Sequence, residues 1–233
     1  MSQLTVSGLD AFHGRAQALS DFSITVRGGE ILCLLGRNGA GKTTALRAIM
    51  GTVRRGQGSI MLDDRDLSAL PPEAVPHAGI AHVPQGRRLF AELTVAENLQ
   101  IGLATRNSPR AVLERALALF PVLGERLQQR SGTLSGGEQT MLAVARAICV
   151  DPQVILLDEP TEGLMPQAVA TIREALRQLR AAGVAVLLVE QRAAAVLDLA
   201  DRAVFLEHGR IAAQTDAAAL QADPSLLHRY LGV

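Results

Sequence analysis

The sequence has no run of about 18 apolar residues, the length a membrane-crossing helix needs. Its best candidate, Val184 to Val189, is cut off by Glu190, Gln191 and Arg192. The chain is therefore not expected to cross a membrane, and any membrane role needs a partner that does. No secretory leader pattern opens it: Met1 to Gly8 alternates polar and apolar residues and reads as a strand. Cysteine is scarce. Cys33 and Cys149 lie far apart in apolar stretches, with neither metal-site spacing nor a disulfide framework, and are expected to be buried thiols. An excess of either charge is also missing, since 23 basic residues balance 23 acidic ones. A general nucleic-acid binder carries a basic excess, so no nucleic-acid partner is expected. The sharpest scarcity is lysine. Of the 23 basic residues, 22 are arginine, and Lys42 is the only lysine. A compact ammonium and a planar guanidinium are not interchangeable in a tight phosphate nest, so Lys42 invites attention.

What is present is an ordinary globular balance, 48% hydrophobic and 20% charged over 233 residues. That is enough for one large domain or two small ones. Strand and helix patterns alternate along the chain. Strands are expected at Leu4–Ser7, Phe22–Val26, Ile31–Leu35, Ser59–Leu62, Ile80–Val83, Val154–Leu157, Val184–Val189 and Ala203–Leu206. Helices are expected at Lys42–Gly51, Val95–Leu103, Ala111–Leu119, Gly137–Val150, Gln167–Ala182 and Arg192–Ala200, with one or two short ones from Ala217 to Leu231. The fully apolar runs at Ile31, Val154 and Val184 read as strands buried on both faces, which implies a parallel sheet covered by helices. From about Gln85 to Gln139 helices occur without a convincing strand, which points to an inserted helical subdomain.

Gly36-Arg37-Asn38-Gly39-Ala40-Gly41-Lys42-Thr43, followed by Thr44, fits the P-loop pattern between a strand and a helix. Its glycines let backbone N–H groups turn towards one point, and the helix N-terminus adds partial positive charge. In this pattern Lys42 neutralises the β- and γ-phosphates of ATP, and the Thr43 hydroxyl reaches Mg²⁺. A second apolar strand, Val154 to Leu157, ends in Asp158-Glu159. At the end of a parallel strand both acids sit where α/β sheets bind ligands. Asp158 suits Mg²⁺ as a hard anionic ligand, and Glu159 suits the water that attacks the γ-phosphate.

Leu134-Ser135-Gly136-Gly137-Glu138-Gln139 opens the helix running to about Val150. Ser135 is a good N-cap, and the two glycines expose backbone N–H groups. This is a second anion site without its own lysine. One ATP site cannot use all these parts, whereas two copies facing head to tail can, each lending its second anion site to the other's nucleotide.

Leu134 to Gln139, in order between P-loop and acidic pair, resembles the signature of ABC (ATP-binding cassette) ATPases, and the resemblance covers nearly the whole chain. The resemblance implies a single nucleotide-binding domain: a P-loop NTPase core, an antiparallel β subdomain and a helical subdomain at about 86–140. It implies that Gln85 is the glutamine contacting Mg²⁺ and the attacking water, and that His13, beside Phe12, faces the adenine. Gln191 stands where the family commonly has a histidine beside the γ-phosphate, and Met165 where many relatives have an aspartate. Both departures, with Val83 to Phe90 and Glu190-Gln191, resemble one subgroup, the ATP-binding subunits of importers for branched-chain amino acids and for urea or short amides, and Thr161-Glu162-Gly163 resembles its urea branch at least as much. Expected partners are therefore integral-membrane permease subunits, a second ATPase subunit and, indirectly, a solute-binding protein, at the cytoplasmic face of the inner membrane. An export ATPase and a soluble ATPase acting on ribosomes or DNA are the competing readings. Leu89 and Phe90 fit either a permease-facing groove or packing inside the helical subdomain.

Overall fold

The computed structural model describes residues 2–191 and 198–232. Strands β1 (Gln3–His13) and β2 (Ala16–Arg27) form a long antiparallel hairpin, registered from Gln3 opposite Arg27 to His13 opposite Ala16. Less than half of each was expected from the alternation. The register shifts between Val6 and Leu9 and again near Ala11, with Gly8 and Asp21 at positive φ. Such bulges reverse the inward face, so a strict period of two breaks while the strand continues.

After β3 (Ile31–Leu35) come α1 (Lys42–Ile49), β4 (Arg54–Arg55), β5 (Ser59–Leu62), β6 (Arg65–Asp66), the single turn α2 (Ala74–His77) and β7 (Ile80–Val83). Strands β4 to β6 join β1 and β2 in one antiparallel sheet. The chain then turns helical through α3 (Val95–Arg106), α4 (Arg110–Leu119), α5 (Pro121–Gly124) and α6 (Gly136–Cys149). It returns to alternation with β8 (Val154–Asp158), α7 (Pro166–Ala181), β9 (Ala185–Val189), β10 (Arg202–Glu207) and β11 (Arg210–Asp216), and ends in α8 (Ala217–Ala222) and α9 (Ser225–Leu231). Most of the helix expected at Arg192–Ala200 lies outside the described residues. Strand β11 was not expected: its Arg-Ile-Ala-Ala-Gln-Thr-Asp sequence sits at the sheet edge with no residue fully buried.

The second sheet has the order β11-β10-β3-β9-β8-β7, parallel except for β11. Every residue of β3, β8 and β9 is buried. Alternate residues feed opposite cores. Ile31, Cys33, Leu35, Ile155, Leu157, Val186 and Leu188 pack with α6 and α7. Leu32, Leu34, Val154, Leu156, Leu187 and Val189 pack with α1 and the antiparallel sheet. Each fully buried Leu, Ile or Val stabilises the fold by about 1.5–3 kcal/mol, and their two-sided burial makes the sheet a rigid platform. Cys33 and Cys149 are both buried free thiols, and burial pushes the Cys149 pKa up to about 12.

Candidate nucleotide site

The C-terminal ends of β3, β9, β8 and β7 lie side by side on one edge of the parallel sheet, and each delivers one part of a single cleft. The P-loop follows β3, Gln191 follows β9, Glu159 follows β8, and Gln85 follows β7. The cleft, of about 550 Å³, is lined by His13, Asn38, Gly39, Gly41, Lys42, Thr43 and Thr44 on one side and by Gln85, Glu159, Glu162 and Gln191 on the other.

The P-loop is shaped by contacts that only glycine permits. A Cβ on Gly36 would lie 2.4 Å from the Leu206 carbonyl, and Gly41 has φ 111° with a would-be Cβ 2.9 Å from the Ala18 carbonyl. Gly41 is also the N-cap of α1 and offers no side-chain cap, so the first N–H groups of that helix remain open to an anion. Lys42 is 5% exposed, and its Nζ donates to the carbonyls of Gly36 at 2.7 Å and Arg37 at 3.2 Å. Burial lowers its pKa, opposed by the carboxylates of Glu159 and Asp158. Within the loop, Ala40 is buried, and its carbonyl accepts from Gly209 N–H.

The Thr43 hydroxyl donates to Asp158 Oδ1 at 3.2 Å. Asp158 is 2% exposed, its Oδ2 has no hydrogen-bond partner, and burial raises its pKa. An unpaired carboxylate oxygen beside a threonine hydroxyl is a hard oxygen donor set suited to Mg²⁺, which takes few protein ligands and completes its shell with phosphate and water.

Glu159 sits in the left-handed region at φ 49°, with its N–H bonded to the Val189 carbonyl at 3.0 Å. For a residue with a Cβ such a conformation costs on the order of 1–3 kcal/mol, and it is stored where a site needs it. The Glu159 carboxylate accepts from Gln191 Nε2 and, at 3.4 Å, from Gln85 Nε2. His13 stands at the rim, its Nε2 3.0 Å from Thr44 Oγ1. Phe12 beside it lies under the Arg54 guanidinium, 4.7 Å from the ring centroid.

Ser135 to Glu138 lie elsewhere. They line a separate cavity of about 500 Å³, shared with Phe120 to Val122 and the start of α7, which has no residue in common with the P-loop cleft. Ser135 Oγ accepts from Glu138 N–H at 3.3 Å, and Glu138 Oε2 accepts from Ser135 N–H at 2.8 Å. Glu138 thus works as half of a capping box, and these bonds hold its pKa low.

Three features had escaped the sequence reading. Glu162 lines the nucleotide cleft and accepts from Gln85 Nε2 at 3.1 Å. Buried Glu190 accepts from Thr161 Oγ1 at 2.7 Å, tying the segment after β8 to the end of β9. Arg87 donates to Thr140 Oγ1 and Gln139 Oε1, both at 3.0 Å, which links the chain after Gln85 to helix α6. Spacing alone cannot find these, because each partner comes from a distant element. Leu89 packs against the core, and Phe90 is 50% exposed.

The platform, the loop and the acid at the end of β8 are together those of a P-loop nucleoside triphosphatase. More narrowly, the chain belongs to the ABC transporter family, whose model matches residues 19–162. The high-affinity branched-chain amino acid transport ATP-binding protein BraG of Pseudomonas aeruginosa is 45% identical to it over 231 residues, covering 98% of this chain and 99% of that one. The lipopolysaccharide export system ATP-binding protein LptB of Escherichia coli is 37% identical over 237 residues, covering 100% and 98%. Among solved structures, an ATP-binding cassette of an ABC transporter in its ADP conformation superposes with a TM-score of 0.83 at 26% identity, covering all of both chains. The protein is an ATPase coupled to transport.

Proposed function

We propose that this chain hydrolyses ATP to drive solute import, with branched-chain amino acids as the cargo. It would work on the cytoplasmic face of the inner membrane, against permease subunits supplied by other chains. The observation that carries the ATPase half is the convergence of Lys42, Thr43, Gln85, Glu159 and Gln191 on one cleft. The likeness to BraG supports the cargo. Among the described residues no helix is long and apolar enough to cross a membrane, so the permease role falls to a partner.

In this reading the backbone N–H groups of the P-loop and Lys42 Nζ hold the β- and γ-phosphates. His13 lies against the base. Thr43, Asp158 and Gln85 would hold Mg²⁺, which when bound supplies positive charge to the phosphate oxygens. Glu159 accepts a proton from the attacking water, and Gln191 fixes the carboxylate while offering the γ-phosphate a hydrogen bond. Glutamine donates without carrying charge, so the strength of Gln191 lies in orientation. The separate cavity at Ser135 supports a head-to-tail pair with a second ATPase subunit, in which the α6 N-terminus of each chain meets the nucleotide of the other.

The test is a pull-down of the subunit at native level from gently solubilised membranes, with partners identified by mass. Two polytopic proteins, a second cassette ATPase and an exported solute-binding protein are expected. Permease subunits without any solute-binding protein would overturn import, and recovery with ribosomes would overturn the transporter reading altogether.

A further inference from the structure

We propose that Glu162 is a positioning residue for hydrolysis. Its carboxylate orients the side-chain amide of Gln85 so that the amide nitrogen faces the acids and the amide oxygen is left for metal and water. The proposal rests on the reading of Gln85 given above.

A glutamine amide has two N–H donors and one acceptor oxygen, and only the oxygen can meet a cation. Gln85 Nε2 lies 3.1 Å from Glu162 Oε2 and 3.4 Å from Glu159 Oε2. Two carboxylates facing one amide select the nitrogen, because an oxygen there would oppose both negative charges. Of the two bonds the one to Glu162 is shorter, and the one to Glu159 is close to the length at which such a bond ceases to hold. Glu159 is also engaged by Gln191. Glu162 is thus the main hold on the Gln85 amide.

The backbone fixes Glu162 in turn. Its N–H bonds the Glu159 carbonyl at 3.3 Å, and the preceding Thr161 hydroxyl is anchored on buried Glu190. Glu162 therefore moves with the end of β8 and β9, as Glu159 does. It also lines a neighbouring cavity of about 350 Å³ together with Arg87, Gln139 and Thr140. The carboxylate so stands between the nucleotide cleft and helix α6, at the point where Gln85 leaves the rigid sheet. Gln191 reaches Glu159 rather than Glu162, which argues against Glu162 as a second base.

The experiment compares Glu162→Ala, Glu162→Gln, Gln85→Ala and the Glu162→Ala/Gln85→Ala double variant. Hydrolysis is titrated with Mg²⁺ and with ATP, beside nucleotide binding and thermal melting, on the purified chain and on the recovered complex. Glu162→Ala is expected to lower kcat about ten- to a hundredfold, the range for losing one charge-assisted hydrogen bond. It should also raise the Mg²⁺ concentration needed for half-activity, while ATP affinity and melting temperature hold. Glu162→Gln keeps an acceptor oxygen and should recover most of the rate. In the Gln85→Ala background, Glu162→Ala should add no further loss. Wild-type kinetics in Glu162→Ala, with Gln85→Ala impaired, would overturn the proposal alone, as would multiplying losses in the double variant. Wild-type kinetics in Gln85→Ala would overturn the reading of Gln85 and the proposal with it.

Discussion

Gln191, one residue beyond buried Glu190 at the end of β9, donates its side-chain amide to the Glu159 carboxylate at the end of neighbouring β8. The acid is thus held by side chains from two adjoining strand ends, on a backbone at φ 49° that the Val189 carbonyl secures. Glu159→Gln preserves the shape and removes the basic oxygen. It is expected to bind ATP as the wild type does and to lower turnover by about 10²–10⁴-fold, the usual worth of a positioned base. Nucleotide binding and steady-state hydrolysis on the same preparation check it. Full turnover would remove Glu159 from the role.

Asp158 shows a conflict between stability and function. Burial raises its pKa, and its Oδ2 has no partner, so without a cation its charge is a cost to the fold. Asp158→Asn is nearly isosteric and removes that charge. Its melting temperature in metal-free buffer is expected to equal or exceed that of the wild type, while Mg²⁺-dependent hydrolysis is lost. A destabilised metal-free variant would show that the Thr43–Asp158 bond outweighs the buried charge.

Ser135 tests the division of one ATP site between two chains. It lines a cavity with no residue in common with the P-loop cleft, and its own side chain is occupied by the capping box. Ser135→Arg is expected to leave ATP binding by the isolated chain unchanged, because Lys42 and its loop are untouched. Hydrolysis should fall sharply, because a bulky cation stands where the partner's nucleotide arrives. The lost cap costs roughly 1 kcal/mol of helix stability, visible as a modest shift in melting. A variant that hydrolyses ATP normally would argue for a site complete within one chain.

Much of the fold and most of the nucleotide cleft could be read from the sequence, for reasons that differ between elements. β3, β8 and β9 are uninterrupted apolar runs because both faces are covered, and such runs announce themselves. The P-loop was legible because its glycines answer a local demand of the backbone. The hairpin was partly legible, since bulges at Gly8 and Asp21 break its alternation. Short β4 and β6 carry no pattern of their own and exist because β1 and β5 offer them an edge. Glu162 and Arg87 were hidden for another reason. Their roles lie in partners 77 and 53 residues away along the chain, and a lone acid in a turn reads as a solvated surface.

His82 gives the fold a pH dependence of its own. It lies in β7 opposite Leu156, and its Nε2 is buried without a hydrogen-bond partner. Burial lowers its pKa from 6.5 to about 4, helped by the charges of Arg47 and Arg88. Below the unfolded value the unfolded chain takes up a proton that the folded chain refuses. The stabilising contribution is therefore complete above 6.5 and is lost as pH falls towards 4. Each unit of that window is worth up to about 1.4 kcal/mol, so the total loss approaches about 3.4 kcal/mol, about a third of the stability of a typical domain. Denaturant midpoints between about pH 7 and pH 5 should show the decline. His82→Leu has similar volume, does not titrate and leaves no orphaned nitrogen. It is expected to match or slightly exceed wild-type stability at neutral pH and to flatten the decline below it. An unchanged slope in His82→Leu would assign the acid sensitivity to other groups.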